Sequence, residues 1–472
     1  MCRANQNEKG GEMFKKLLGL LLVMGMVVGA QGAWAKSTET DLRLQALEEK
    51  IETLQKERLA LNTNSISSVS KEVIAQSSDD YLKVKYSYPG FRLTTADGLF
   101  STKLAWRAQL RYTHPNRSDP RSVGNFTARE DVSNFEARRL RMKIGGHGYK
   151  KWIKYYFEVD LQPSRDFDDS SASSSARVID WRITVQPIDE IGFRVGQWKI
   201  NYNRERVDSS GRQTFVERSI VNRVFNIDRQ VGAMLQGRLF KETPADLRYY
   251  AGAFNGEGRS VNNDSGELMY MGRLQWNFLG RDLKWRQSDV SYHEKPAGTL
   301  AFAYATNNGR CTRWSSSGCG NLTSFISPTA TVPPTPAQYK RDQWMQEFAF
   351  KYKGLAIQQE YHEMEVEDKS TMLTHDYQGM YAQIGYTNHG ALAPLPEGVE
   401  LAFRYAYVIE SQSAADNINR NRREEYTVGV NWFLAGHNNK VTIDYSYLTL
   451  KDFATMMDYS DNRVRLQWDI SF

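Results

Sequence analysis

The final ten residues show the pattern that governs most of this chain. Val464, Leu466, Trp468, Ile470 and Phe472 alternate with Arg463, Arg465, Gln467, Asp469 and Ser471, so a strand puts every apolar side chain on one face. Ile153, Tyr155, Phe157, Val159 and Leu161 alternate in the same way with Lys154, Tyr156, Glu158 and Asp160. From about Tyr81 to the end the period stays at two. It predicts strands near 103–112, 135–145, 151–162, 177–186, 190–198, 229–240, 246–255, 267–279, 298–307, 342–352, 355–367, 374–388, 398–410, 422–434, 439–450 and 461–472. Residues 281–297 fit neither a strand nor a turn cleanly, so the count holds to within two strands.

A soluble sandwich alternates too, and three features favour a membrane barrel over it. The strands are long enough for a tilted crossing. Tyr, Trp and Phe recur at their ends, where interfacial girdles belong. Short links (145–150, 186–190, 241–246, 353–354, 435–438) are interleaved with long ones (113–134, 163–176, 199–228, 308–341), as periplasmic turns are with outer loops. The fold expected is all-β, a transmembrane antiparallel barrel of about 16 strands over residues 81–472. A last residue of Phe472 fits the assembly signal of outer-membrane barrels.

The residues before the barrel divide into three parts. Leu17–Ala30 is an apolar run after Lys15 and Lys16 and before Ala33-Trp34-Ala35. It reads as a signal peptide over 1–35, with export to the outer membrane of a Gram-negative bacterium. Met13 is a candidate start. In 36–62, Leu44, Leu47, Ile51, Leu54 and Leu61 step by threes and fours as in a coiled-coil seam. So short a helix needs partners, which a homotrimer would supply. The alternatives are a lone amphipathic helix or a tether making periplasmic or cell-wall contact. Residues 63–80 read as a polar linker.

Composition narrows the function. Mean hydropathy of −0.59 excludes a bundle of membrane helices, and a formal net charge of +6 does not suggest nucleic-acid binding. Cys311 and Cys319 lie in a Ser/Gly-rich stretch and are expected to form a loop disulfide, with no zinc spacing around them. Seven His are scattered; His362 and Glu360 share a strand face without a third ligand. No enzyme, metal or cofactor is called for. Gly145-Gly146-His147-Gly148 reads as a turn.

If the apolar faces meet outer-membrane lipid, the polar faces line a lumen wide enough for water. Leu140, Met142 and Ile144 then point outward, and Arg139, Arg141 and Lys143 inward at successive levels. Lys103, Arg107, Arg111, Lys154 and Arg182 join them from neighbouring strands. Guanidinium groups spaced about 6–7 Å apart make a ladder for small inorganic anions, whose oxygens the Arg fork can hold in pairs. Glu158, Asp160 and Asp180 share these faces and would neutralise part of it. The long connection after Lys199 carries Arg204, Arg206, Arg212, Arg218, Arg223 and, at its end, Arg229. It also carries Phe215, Val216, Ile220, Val221 and Phe225, which a loop in water would not need. It reads as a constriction loop folded against the barrel wall.

Phe135-Glu136-Ala137-Arg138-Arg139, Gly196-Gln197-Trp198-Lys199, and Phe215-Val216-Glu217-Arg218-Ser219 through Arg229-Gln230-Val231-Gly232 resemble the phosphate-selective porins O and P. Gly90-Phe91-Arg92-Leu93 with Ala96-Asp97-Gly98 is similar to that family's entry into the first strand. The resemblance implies a trimeric outer-membrane channel with an arginine ladder leading to a cationic constriction. Arg138 and Arg139 match the family's paired arginines, and Lys199, Arg218 and Arg229 its constriction-loop region. The chain departs from the family where Ile200-Asn201-Tyr202 stands in place of the usual Pro-Phe. The function expected is passive diffusion of small anions, phosphate among them. The alternatives are a general, weakly selective porin and a structural barrel that tethers the envelope.

Overall fold

A computed structural model describes Leu82–Phe472 apart from residues 87, 116–132, 163–175, 316–317, 323–324, 329, 412–419 and 454–455. Of the preceding unit, Met1–Tyr81, it describes only Lys50 and Thr53, both helical. The expected signal peptide and linker, and the coil but for those two residues, lie outside the described residues.

The barrel strands are β3 (Ser101–His114), β4 (Asn134–Gly148), β5 (Lys150–Asp160), β6 (Arg177–Val185), β7 (Gly192–Lys199), β8 (Arg229–Leu239), β9 (Leu247–Phe254), β10 (Met269–Trp276) and β11 (Ala297–Gly309). They continue as β14 (Tyr339–Tyr352), β15 (Leu355–Asp368), β16 (Leu373–Thr387), β17 (Val399–Ser411), β18 (Arg420–His437), β19 (Asn439–Asp452) and β20 (Met457–Ser471). Each pairs antiparallel with the next, and β20 pairs back onto β3 from Val464↔His114 to Ser471↔Arg107, closing sixteen strands into one barrel. A hairpin of β1 (Lys83–Tyr86) and β2 (Phe91–Thr94) adds to the start of β3 through Phe91↔Leu104. A second small hairpin, β12 (Arg313–Ser315) with β13 (Gly318–Gly320), carries the Cys311–Cys319 disulfide, whose Cα atoms are 5.6 Å apart.

Every strand expected from the alternation is present. Of the ambiguous 281–297, all but Ala297, which opens β11, lies in a long irregular connection between β10 and β11. The turn expected from Gly145 is a correction: β4 runs on to Gly148, and the chain reverses at Tyr149, whose φ is +63°.

The barrel is apolar outside and polar within. Phe302, Leu401 and Trp432 on the outer face are 50–53% exposed, while Arg404, Asp444 and Arg465 on the inner face are 1–2% exposed. Hydrocarbon cannot bond to free N–H or C=O groups, so a sheet crosses it only when closed, and the side chains facing it must be apolar. Tyr405, Tyr426 and Tyr447 lie in a row across β17–β19, with ring centroids 5.0 and 6.4 Å apart, and form part of an aromatic girdle.

Val428 faces outward at the middle of β18. Val428→Arg is expected to destabilise the barrel by about 2–4 kcal/mol, read as a shift in the urea unfolding midpoint in lipid vesicles. No shift would mean that this face does not meet hydrocarbon.

Candidate functional site

The connection from β7 to β8 lies inside the barrel. It contains two short helices, α1 (Arg204–Val207) and α2 (Ile220–Phe225). Its apolar residues decide this placement: Ile200, Tyr202, Phe215, Val216, Val221, Val224 and Phe225 are all at most 2% exposed. The wall accommodates them with small residues. A Cβ at Gly379 on β16 would come 2.5 Å from the Phe225 ring, and one at Gly429 on β18 would come 3.0 Å from Phe215. Ser219 caps α2, its Oγ accepting from the Asn222 amide at 3.3 Å.

Charged groups on the far wall hold this loop. Arg204 Nε donates to Glu347 Oε1 at 2.7 Å, and Arg273 pairs with the same carboxylate at 2.9 Å. Glu360 accepts from Asn203 Nδ2 at 3.0 Å and from the Glu205 amide at 2.7 Å. Arg404 pairs with Glu425, lies 3.6 Å from Glu205, donates to the Glu217 carbonyl at 3.1 Å and stacks on Phe215 at 4.5 Å. Burial drives the Glu205 carboxyl up to about 7, against the pull of Arg404. Asp228 would be raised by burial, but Arg206 and Arg229 hold it below the usual carboxylate range.

A second segment meets the loop from the opposite end. The connection between β10 and β11 lies on the side of the short turns. There the Lys284 carbonyl accepts from Arg204 at 2.9 Å, and Gln287 Oε1 accepts from the Thr214 amide at 2.7 Å. Arg286 lies 3.3 Å from Asp208, whose carboxyl burial raises against that cation. The loop thus bonds to wall residues on strands from β10 to β19, among them Arg273, Thr299, Glu347, Glu360, Arg404, Glu425 and Asp444.

The side of β3–β7 holds an open space. A cavity of about 580 Å³ is lined there by eight basic side chains: Arg92, Lys103, Arg107, Lys143, Lys154, Arg182, Arg194 and Arg212. No Asp or Glu is among its lining residues. Arg107 donates to Ser209 Oγ at 2.8 Å and Ser210 Oγ at 2.7 Å, tying wall to loop without losing its charge. Arg182 lies 4.4 Å over the Tyr156 ring. Burial and the neighbouring Arg286 lower Arg212 to about 10, so it stays cationic at neutral pH.

The remaining cations expected from the sequence are held by protein groups. Arg141 pairs with Glu158 at 2.8 Å and Asp160 at 3.2 Å; Arg229 pairs with Asp180 at 2.7 Å; Arg206 pairs with Asp228. Arg218 donates to the carbonyls of Glu205 at 2.6 Å and Asp208 at 2.7 Å, and Lys199 to those of Arg206 and Asp208 at 3.2 Å. Burial, then repulsion from Arg206, lowers Arg218 to about 10. Arg223 sits half-buried on α2. Arg111, Arg138 and Arg139 gather around Glu217 at 2.7, 2.9 and 4.0 Å. Strict alternation would send Arg138 and Arg139 to opposite faces. The β3–β4 register shifts between Gln109 and Leu110, pairing Gln109 with Arg139 and Leu110 with Ala137, so Arg138 is the extra residue and both arginines reach Glu217.

Sequence reasoning missed Arg194, although Phe193 and Val195 on the outer face mark it as inward. It also missed arginines 273, 404 and 465 on β10, β17 and β20, each on the polar face of a readable strand. His362 and Glu360 do share the inner face, 3.1 Å apart, but both are fully buried and His362 is stacked on Phe225.

The family described as phosphate-selective porin O and P matches residues 115–470. An uncharacterized protein of Aquifex aeolicus strain VF5 is 23% identical over 346 residues, covering 65% of this chain and 74% of its own. Among solved structures, the outer membrane channel DcaP of Acinetobacter baumannii is 12% identical with a TM-score of 0.49, covering 79% of this chain and 97% of its own. The trimer form of OmpT, an outer membrane protein of Vibrio cholerae, is 10% identical with a TM-score of 0.49, covering 79% and 99%.

Arg404→Ala leaves the Glu425 carboxylate buried without its partner and removes the stack on Phe215. It is expected to destabilise the protein by about 3–5 kcal/mol, measured as a fall in urea midpoint, with increased open-channel noise from a loosened loop. An unchanged midpoint would contradict the anchoring role.

Proposed function

The chain belongs to the phosphate-selective porin O and P family, a family of outer-membrane channels, and on that premise we propose that it passes small anions, phosphate among them, along its β3–β7 wall. Family and fold point to a channel in the outer membrane of a Gram-negative bacterium rather than to an enzyme. The observation that carries the anion preference is the cavity of about 580 Å³ lined, among the described residues, by eight basic side chains and no carboxylate. In a chain whose 61 basic and 55 acidic residues nearly balance, that segregation gives one stretch of lumen a positive field. An anion entering it exchanges part of its hydration for Arg and Lys donors, and several modest sites release it more readily than one tight site.

A weakly selective anion pore is the second reading. The pairing of Arg141, Arg206 and Arg229 with carboxylates favours it, because a neutralised ladder shapes the field without holding one ion. The homotrimer implied by the family resemblance belongs to this proposal too. Crosslinking of the purified protein, with and without residues 36–62, tests it and tells whether the coil trimerises the barrel or tethers it.

In a planar bilayer with a salt gradient, the reversal potential is expected to have the sign of anion passage. Lys143→Glu with Arg182→Glu should cut the anion-to-cation permeability ratio several-fold. A cation-selective wild type would overturn the proposal, and so would a doubly inverted variant with an unchanged ratio.

A further inference from the structure

Glu217 is the one loop carboxylate that three arginines share. Arg111 NH1 reaches it at 2.7 Å, Arg138 Nε at 2.9 Å and Arg139 NH2 at 4.0 Å. The cluster lies open to the lumen: the side chains of Glu217, Arg138 and Arg139 are 27%, 23% and 11% exposed. Glu136 lies at 3.5 Å from Arg111 and 3.8 Å from Arg138, so these three arginines and two ionised carboxylates by themselves sum to one net positive charge. Burial would raise Glu217, but the three arginines hold it well below the usual carboxylate range, so it stays ionised wherever the channel works.

The backbone around Glu217 is fixed independently of its side chain. The Val216 amide donates to Asp444 Oδ2 at 2.9 Å, the Val216 carbonyl accepts from Arg111 NH2 at 3.2 Å, and the Glu217 carbonyl accepts from Arg404. The carboxylate can therefore leave the arginines by side-chain rotation while the loop stays seated.

We infer that Glu217 is a tethered competitor: its carboxylate occupies an anion site made by Arg111, Arg138 and Arg139, and an oxyanion of charge −2 displaces it where chloride does not. Chloride replaces one negative charge with one and offers no pair of oxygens to the guanidinium forks. A tetrahedral dianion, phosphate or sulfate, brings a second charge and several oxygens at forked spacing. The tethered group also has an effective-concentration advantage, which a weak monovalent ligand does not overcome. Discrimination thus comes from what the protein already holds in the site. The inference rests on the anion-channel reading and adds to it a residue that sets which anions stop.

Single-channel recording of the full-length protein in chloride, titrated with sulfate, tests it, because sulfate stays a dianion across the working pH range. Glu217→Gln should raise the chloride current and lower sulfate-over-chloride discrimination several-fold, since chloride now enters the vacated arginines. Glu217→Asp keeps the charge on a shorter arm and should move both readings the same way by less; it decides the matter if the Gln variant does not fold. A loop that merely collapses would raise currents of all ions together and leave the discrimination ratio in place, and that result overturns the inference. An unchanged chloride current and ratio in both variants overturns it as well. A wild type that reverses as a cation channel would instead defeat the anion-channel reading beneath it.

Discussion

The pairing of β20 with β3 is the contact on which the rest of the structure depends. In hydrocarbon an unpaired N–H or C=O costs several kcal/mol, so an open sheet edge could not persist there. Closure removes the edges and divides the side chains into two environments. The outer face must be apolar where it meets hydrocarbon, and the inner face receives the buried charges that the strands carry, such as Arg404, Asp444 and Arg465. A lumen crowded with guanidinium and carboxylate groups is thus a consequence of closure, before any question of transport arises.

The same constraint explains why the lumen is asymmetric. Arginines 273, 404 and 465, on β10, β17 and β20, each bind a carboxylate, Glu347, Glu425 and Asp444, and through them the inward loop. Each pair is buried, where an unpartnered ion would be costly, so those charges are committed to structure. The β3–β7 wall meets the loop at Arg107, Gln109, Arg111 and Arg194. Its basic residues outnumber the acids within reach, and the surplus faces the cavity. One loop thereby narrows the passage, neutralises one wall and leaves the other positive.

The alternation made the strands legible because lipid imposes a one-sided rule on every crossing. The inward loop was legible for a related reason: Phe215, Ile220 and Phe225 make no sense in water. The partners of the charges were not legible. Arg111 and Glu217 are 106 residues apart and meet only when the loop crosses the lumen. The bulge that turns both Arg138 and Arg139 inward depends on the register between two strands, which no single strand records. The connection between β10 and β11 was opaque because its partners are distant in sequence, three of them, Arg204, Thr214 and Asp208, on another loop. Nor does a single strand record why Gly379 and Gly429 lack a side chain: the rings of Phe225 and Phe215, from the distant loop, are seated on them.

The most direct test of the central claim is anomalous diffraction from crystals of the protein soaked in bromide or selenate. Anion peaks in the cavity between Lys143, Arg182 and Arg212, continuing past Arg107 toward Arg138, are the predicted result. Anions absent from that wall, or rubidium bound along it in a parallel soak, would contradict the account.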